Sequence, residues 1–206
     1  DHNILNDENI LLYDFIPKQY QKTKDSLKSS IQLKDLLTMS SGLDVLAKAS
    51  EQTYQNSQDW LHTVLKAPML YAPNTKALYG SANPYLIGQI LQEATTTPLQ
   101  LFMDQYLFKP LNIHNYSIQK DMTGNPYFGG GMYLTSRDML KFGQLYLCKG
   151  KWYKRRVISK KWVQKSFHNY HNLDNVKDKN GYGYLWWHHT YTINGEKIQT
   201  IEARGN

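Results

Sequence analysis

The chain has 206 residues, 41% of them hydrophobic and 13% aromatic, and a formal net charge of +7. That length suits one domain with a core of its own, and the composition excludes disorder as the default state. The basic excess would suit an acidic partner, but no zinc module, aromatic RNA-binding signature or basic region accompanies it, so no nucleic acid is expected as a partner.

The single cysteine, Cys148, permits no disulfide within the chain and leaves the compartment open. No stretch reads as a signal peptide or a membrane segment, the longest apolar runs being only a few residues. The opening stretch "DHNILNDENILLYDFIPKQY" begins amid alternating apolar and polar residues, as though another element preceded it.

In chain order, "LKDLLTM" places Leu33, Leu36 and Leu37 on one helical face, with Gly42 as the stop. "SQDWLHTVLKAP" does the same with Trp60, Leu61, Val64 and Leu65 and ends at Pro68. "YLIGQILQEA" reads as a helix starting near Pro84, because proline is tolerated in a first turn. "LQLFMDQYLFKPL" is another helix, closed by Pro110. "TSRDMLKFGQLYLCKG" has Thr135 or Ser136 as its cap, Asp138 in its first turn, and Met139, Phe142, Gly143, Tyr146 and Leu147 as its buried stripe. In "SKKWVQKSF" the lysines 160, 161 and 165 oppose Trp162, Val163 and Phe167, as on a solvated helix surface. After residue 180 the period shortens to two. "YGYLWWHHTYTI" and "EKIQTIEARGN", separated by an Asn-Gly turn, read as a β-hairpin in which Trp186 and Trp187 face opposite ways.

Several short patterns invite chemistry. "FGGGM", with Gly129 to Gly131, lacks the lysine and hydroxyl residue of a phosphate cradle and reads as a tight turn into the next helix. The pairs His168/His171 and His188/His189 lack a third ligand at metal-site spacing, so neither a metal nor a cofactor is expected. "SIQK", Ser117 to Lys120, has the Ser-x-x-Lys spacing but no helical periodicity. "LYGSANPYLIG" puts Tyr79 and Ser81 immediately before a buried helix. Alone, that tyrosine is packing and that serine a helix cap. A phenol accepts protons near neutral pH only if neighbouring cations lower its ordinary value of about 10.

Six stretches in order, "IQLKDLLTMSSGL", "APNTKALYGSANPYLIGQIL", "YLFKPLNI", "GGGMYLTSRDMLKFGQLYLCKGKW", "ISKKWVQKS" and "YGYLWW", resemble the serine β-lactamase and penicillin-binding-protein superfamily. The resemblance is to the branch of class C β-lactamases, related esterases and 6-aminohexanoate-dimer hydrolases. It implies an α+β, β-lactamase/transpeptidase-like fold, mostly helical here, with a C-terminal antiparallel hairpin of the main sheet. Residues 1–206 would form a single domain truncated at both ends, about 31–130 a helical subdomain and 131–206 part of the α/β body.

It further implies a serine hydrolase that forms an acyl-enzyme on a small ester, amide or β-lactam. Tyr79 and Ser81 match the Tyr-x-Asn/Ser motif and would be catalytic. The Ser-x-x-Lys nucleophile would lie upstream of Asp1. Gly205 and Asn206 would open the third motif, and with Trp187 would bind substrate. Asn206 stands where the family carries Lys or His, which weakens the case for a carboxylate-bearing β-lactam. Relatives of this kind are commonly exported, so a periplasmic or secreted location is favoured over a cytoplasmic one. The alternatives are an inactive homologue binding peptide or peptidoglycan-like ligands, and a basic nucleic-acid or surface-binding module.

Overall fold

The computed structural model describes residues 5, 7–178 and 180–205. After three short 3₁₀ turns, helices α1 (Leu33–Leu37), α2 (Glu51–Gln55), α3 (Trp60–Lys66) and α4 (Ala82–Ala94) form a helical half. α5 (Leu99–Met103) runs on into a wider π-type turn over Asp104–Phe108. Strands β1 (Tyr116–Ile118) and β2 (Met132–Leu134) pair antiparallel, and α6 (Ser136–Leu147) follows. A small hairpin of β3 (Lys151–Trp152) and β4 (Arg155–Arg156) leads to α7 (Lys160–Ser166). The chain then builds an antiparallel sheet in the order β5 (His171–Asn172), β6 (Gly181–Tyr182), β7 (Trp187–Ile193), β8 (Glu196–Glu202). Among the described residues no helix is long and apolar enough to cross a membrane.

Local chemistry explains most of these boundaries. Asp59, Thr135 and Ser159 each accept a backbone N–H from the first turn of α3, α6 and α7, satisfying donors the helix leaves unpaired. α1 stops at Leu37 rather than running on to Gly42. The Thr38 hydroxyl donates to the Lys34 carbonyl at 2.8 Å, the Ser40 N–H donates to the Asp35 carbonyl at 2.7 Å, and Met39 turns to a φ of 60°. α4 begins two residues ahead of Pro84. It is the central helix, with Ala82, Tyr85, Leu86, Ile87 and Ile90 all buried against Leu12, Leu36, Tyr54 and Val64. In the hairpin, Asn194 and Gly195 take φ of 52° and 84°, the paired positive values of a two-residue type I′ turn that matches strand twist.

Three expectations are corrected. The buried face of α6 is Leu145, with Asp138 and partly buried Phe142, while Met139 is 58% and Leu147 82% exposed. The helix is turned by its cluster with Phe108, Leu111 and Ile113, which takes residues at spacings of three and four from Asp138. The three glycines lead into strand β2 rather than directly into a helix, because Gly131, at φ +69°, sits against Gln119 and starts the pairing with β1. The last strand run begins at Trp187, not Tyr182, since Leu185 at φ 63° breaks it and leaves Gly181–Tyr182 as separate β6. On α7, Lys160 and Lys161 are exposed, whereas Lys165 pairs with Glu8. The basic residues Arg155 and Arg156 lie exposed on β4, where the Arg156 guanidinium donates to the carbonyls of Lys149 and Ile158.

Candidate active site

Tyr79 lies between the helical half and the sheet. Its backbone is held from 96 residues away: the Tyr79 N–H donates to Asn175 Oδ1 at 2.8 Å, and Asn175 Nδ2 donates to the Tyr79 carbonyl at 2.9 Å. A parallel bridge between Ala77 and Leu173 supports this junction. Its ring packs on Trp187 with centroids 4.8 Å apart and meets Tyr182 edge-on at 6.2 Å. The residue stays 37% exposed. Gly80 keeps the junction tight, because a Cβ there would lie 2.7 Å from Val45 Cβ.

Ser81 is the residue before α4, but its side chain makes no cap to that helix. Its hydroxyl donates instead to Glu51 Oε2 at 2.8 Å. Glu51 Oε1 accepts from the Tyr127 hydroxyl at 2.9 Å and from Gln55 Nε2 at 3.0 Å. The Tyr127 oxygen in turn lies 2.5 Å from the fully buried Tyr54 hydroxyl. Since Tyr127 spends its proton on the carboxylate, Tyr54 donates to Tyr127. Tyr54, Trp60, Tyr85 and Tyr127 form an aromatic box beneath the site, Tyr54 and Tyr85 stacking at 5.5 Å.

The electrostatics run opposite to the condition set by the sequence for a proton-accepting phenol. Burial pushes the Tyr79 phenol above its ordinary value, and the Glu51 carboxylate pushes it further the same way. In the surroundings described here Tyr79 is protonated at neutral pH and able to donate. Burial likewise raises Tyr54, as do its bond to Tyr127 and the nearby Glu51.

The C-terminal strand reaches the same place. In the β7–β8 register Trp187 faces Glu202, so the residues after Glu202 run past Trp187. Arg204 lies over the Trp187 ring at 4.8 Å while its Nε donates to Glu202 at 2.7 Å. Trp187 is 8% exposed and belongs to a small core with Met39, Ala77, Leu173 and Tyr182. Gly205 is exposed just beyond Arg204, and Asn206 lies outside the described residues. Trp186 points the other way and packs on Tyr146 and Phe167.

The other patterns do not join this site. Ser117 is exposed on β1 and Lys120 sits in an isolated bridge with Pro126, so the two share no helical turn. His171 bonds Asn74 and His189 bonds Asn180, and among the described residues no three metal-ligating side chains gather.

Residues 3–201 match the Beta-lactamase family model. The chain belongs to that family. It shares 29% identity over 92 residues with an N-acetylmuramyl-L-alanine amidase of Bacillus subtilis, covering 42% of this chain and 21% of that protein. Its fold is similar to the octameric penicillin-binding protein homologue of Pyrococcus abyssi, with a TM-score of 0.70 at 17% identity over 96% of this chain and 50% of that one. It is also similar to a penicillin-binding protein of Bacillus halodurans, with a TM-score of 0.67 at 16% identity, covering 97% of this chain and 69% of the other. The fold is thus α+β, of the β-lactamase/transpeptidase type. The chain spans about half the length of the Pyrococcus structure, and its alignment covers a smaller share of the curated relatives.

Glu51, Asn175, Tyr127 and Arg204 were not singled out by the sequence. Glu51 is one position past the Ser50 cap of α2, and Asn175 lies in an ordinary loop, so no local pattern marks either. Only long-range contacts place them at the site.

Proposed function

We propose that this chain carries the Tyr-x-Ser portion of a serine hydrolase that forms an acyl-enzyme on a small ester, amide or β-lactam. The observation that supports this reading is the meeting of Tyr79, Trp187 and Arg204 at one junction, with Ser81 two residues beyond Tyr79. The nucleophile is a Ser-x-x-Lys serine from outside these residues, whose proton passes to its lysine as the serine attacks the substrate carbonyl. Tyr79, held protonated by burial and Glu51, gives its proton to the leaving group as the tetrahedral intermediate collapses. Its phenolate is then re-protonated from the lysine. Water then attacks the acyl-enzyme, losing a proton to the now neutral lysine, which passes it to the departing serine oxygen as the acid is released, and the cycle closes.

Ser81 has its hydrogen committed to Glu51, so toward a substrate or the lysine it acts as an acceptor. That fits it to orient an ammonium. Gly205 has an open surface for a substrate to approach its backbone, and Trp187 forms the floor under Tyr79. The β7–β8 strand end would supply oxyanion donors together with the nucleophile's own N–H.

The test is intact mass spectrometry of the protein expressed from its complete reading frame, before and after a fluorophosphonate that acylates activated serines. One stoichiometric adduct, with ester turnover reduced about a hundredfold or more in Tyr79→Phe, is the expected result. An absent adduct overturns the reading in favour of an inactive homologue that binds peptide or peptidoglycan-like ligands.

A further inference from the structure

Glu51 holds a charge that the described residues do not balance. Its carboxylate accepts hydrogen bonds from three neutral donors, the Ser81 hydroxyl, the Tyr127 hydroxyl and the Gln55 amide, and it forms none of the ion pairs among the described residues. It is only partly exposed, and its field is felt at the Tyr79 and Tyr54 phenols. A half-buried carboxylate draws a cation when one can reach it, because neutral donors orient the charge without cancelling it. Two donors occupy Oε1 and one occupies Oε2, so acceptor capacity remains on the oxygen beside Ser81.

The donors also fix its direction. Ser81 ties Oε2 to the start of α4, and Tyr127 and Gln55 tie Oε1 to the aromatic box and to α2. The remaining lone pair is therefore presented at the Tyr79–Ser81 junction. Arg204, over Trp187, is engaged by Glu202, and Lys76 lies over the Tyr71 ring. None of the ion pairs among the described residues reaches Glu51, which leaves it open to a cation carried by a ligand or by the segment that bears the nucleophile.

We propose that Glu51 is a specificity determinant: it selects substrates whose acyl group bears an ammonium, docked beside Tyr79 and Ser81. This rests on the hydrolase reading above. The acyl-side amine makes a charge-assisted bond to Oε2 while the scissile carbonyl lies under the Tyr79 hydroxyl.

The experiment compares isosteric p-nitrophenyl esters, β-alanine against butanoate and glycine against propanoate, with the protein from its complete reading frame. In each pair an ammonium replaces a methyl group. The wild type is expected to favour an ammonium ester by about tenfold or more in kcat/KM in at least one pair, after correction for spontaneous hydrolysis, and Glu51→Gln to erase most of that ratio. Wild-type kinetics alone tests the preference should the variant fold poorly. No preference in either pair overturns the proposal. So does an equal loss on both members of a pair in Glu51→Gln, which would assign the cation to the enzyme's own lysine. Turnover of the neutral esters and a fluorophosphonate adduct, with no ammonium preference, would leave the hydrolase reading standing and sink this inference alone.

Discussion

The buried relay from Tyr54 through Tyr127 to Glu51 makes a prediction about non-additivity. Tyr54 donates to Tyr127, and Tyr127 donates to the carboxylate at 2.9 Å. Tyr127→Phe therefore loses a bond to a charged group, roughly 1.5–3 kcal/mol, and strands the Tyr54 hydroxyl, roughly 1–3 kcal/mol more. The orphan is costly because Tyr54 is fully buried and no water can replace its acceptor. Tyr54→Phe removes one neutral bond and leaves Tyr127 still bound to Glu51, a loss of about 1 kcal/mol. Simple addition of central values gives about 5 kcal/mol for the pair. In the double variant no hydroxyl remains to be orphaned, so the loss is about 2 kcal/mol, smaller than for Tyr127→Phe alone. Urea unfolding of the four proteins, with matched m-values, measures the cycle. Additivity to within about 0.5 kcal/mol would refute the directional relay.

Three further outcomes follow from other contacts. Asn175→Ala removes both bonds that hold the Tyr79 backbone, so kcat/KM for ester hydrolysis should fall about tenfold while unfolding stability drops by only about 1–2 kcal/mol; an unchanged kcat/KM would mean the clamp does not position the tyrosine. A Cβ at Gly183 would lie 2.2 Å from the Ser166 carbonyl oxygen, whereas one at Gly143 meets nothing within 4 Å, so Gly183→Ala should sharply lower the melting temperature and Gly143→Ala in α6 should hold or raise it. Burial works to raise the Glu8 carboxyl, but its bond and charge contact with Lys165 outweigh this and hold it below its ordinary 4.5. The folded value being the lower one, the stabilisation is complete above about pH 4.5 and fades as pH falls through the folded value, so Lys165→Met should lower the urea midpoint at pH 7 and hardly change it at pH 3. An equal shift at both pH values would assign Lys165 a packing role.

The helices were legible because their causes are local. Leu33, Leu36 and Leu37, or Trp60, Leu61, Val64 and Leu65, recur at the spacing of one helix face, and Thr135 stands where a cap is needed. The Asn194–Gly195 turn was legible for a similar reason, since few residues tolerate two successive positive φ values. The stripe on α6 was not. Its apolar residues surround the helix, and only packing against Phe108, Leu111 and Ile113 decides that Leu145 turns inward while Met139 and Leu147 face out.

The site divides along the same line. Tyr79 and Ser81 could be put forward from the sequence because a resemblance to family motifs marks short contiguous stretches. What those residues do with their protons could not. Ser81 donates to a carboxylate 30 residues earlier, Tyr79 is held by an amide 96 residues later, and the Tyr79 phenol is raised rather than lowered by its neighbours. Local sequence determines which backbone forms; protonation and orientation depend on charge and burial contributed across space, which only the tertiary structure brings together.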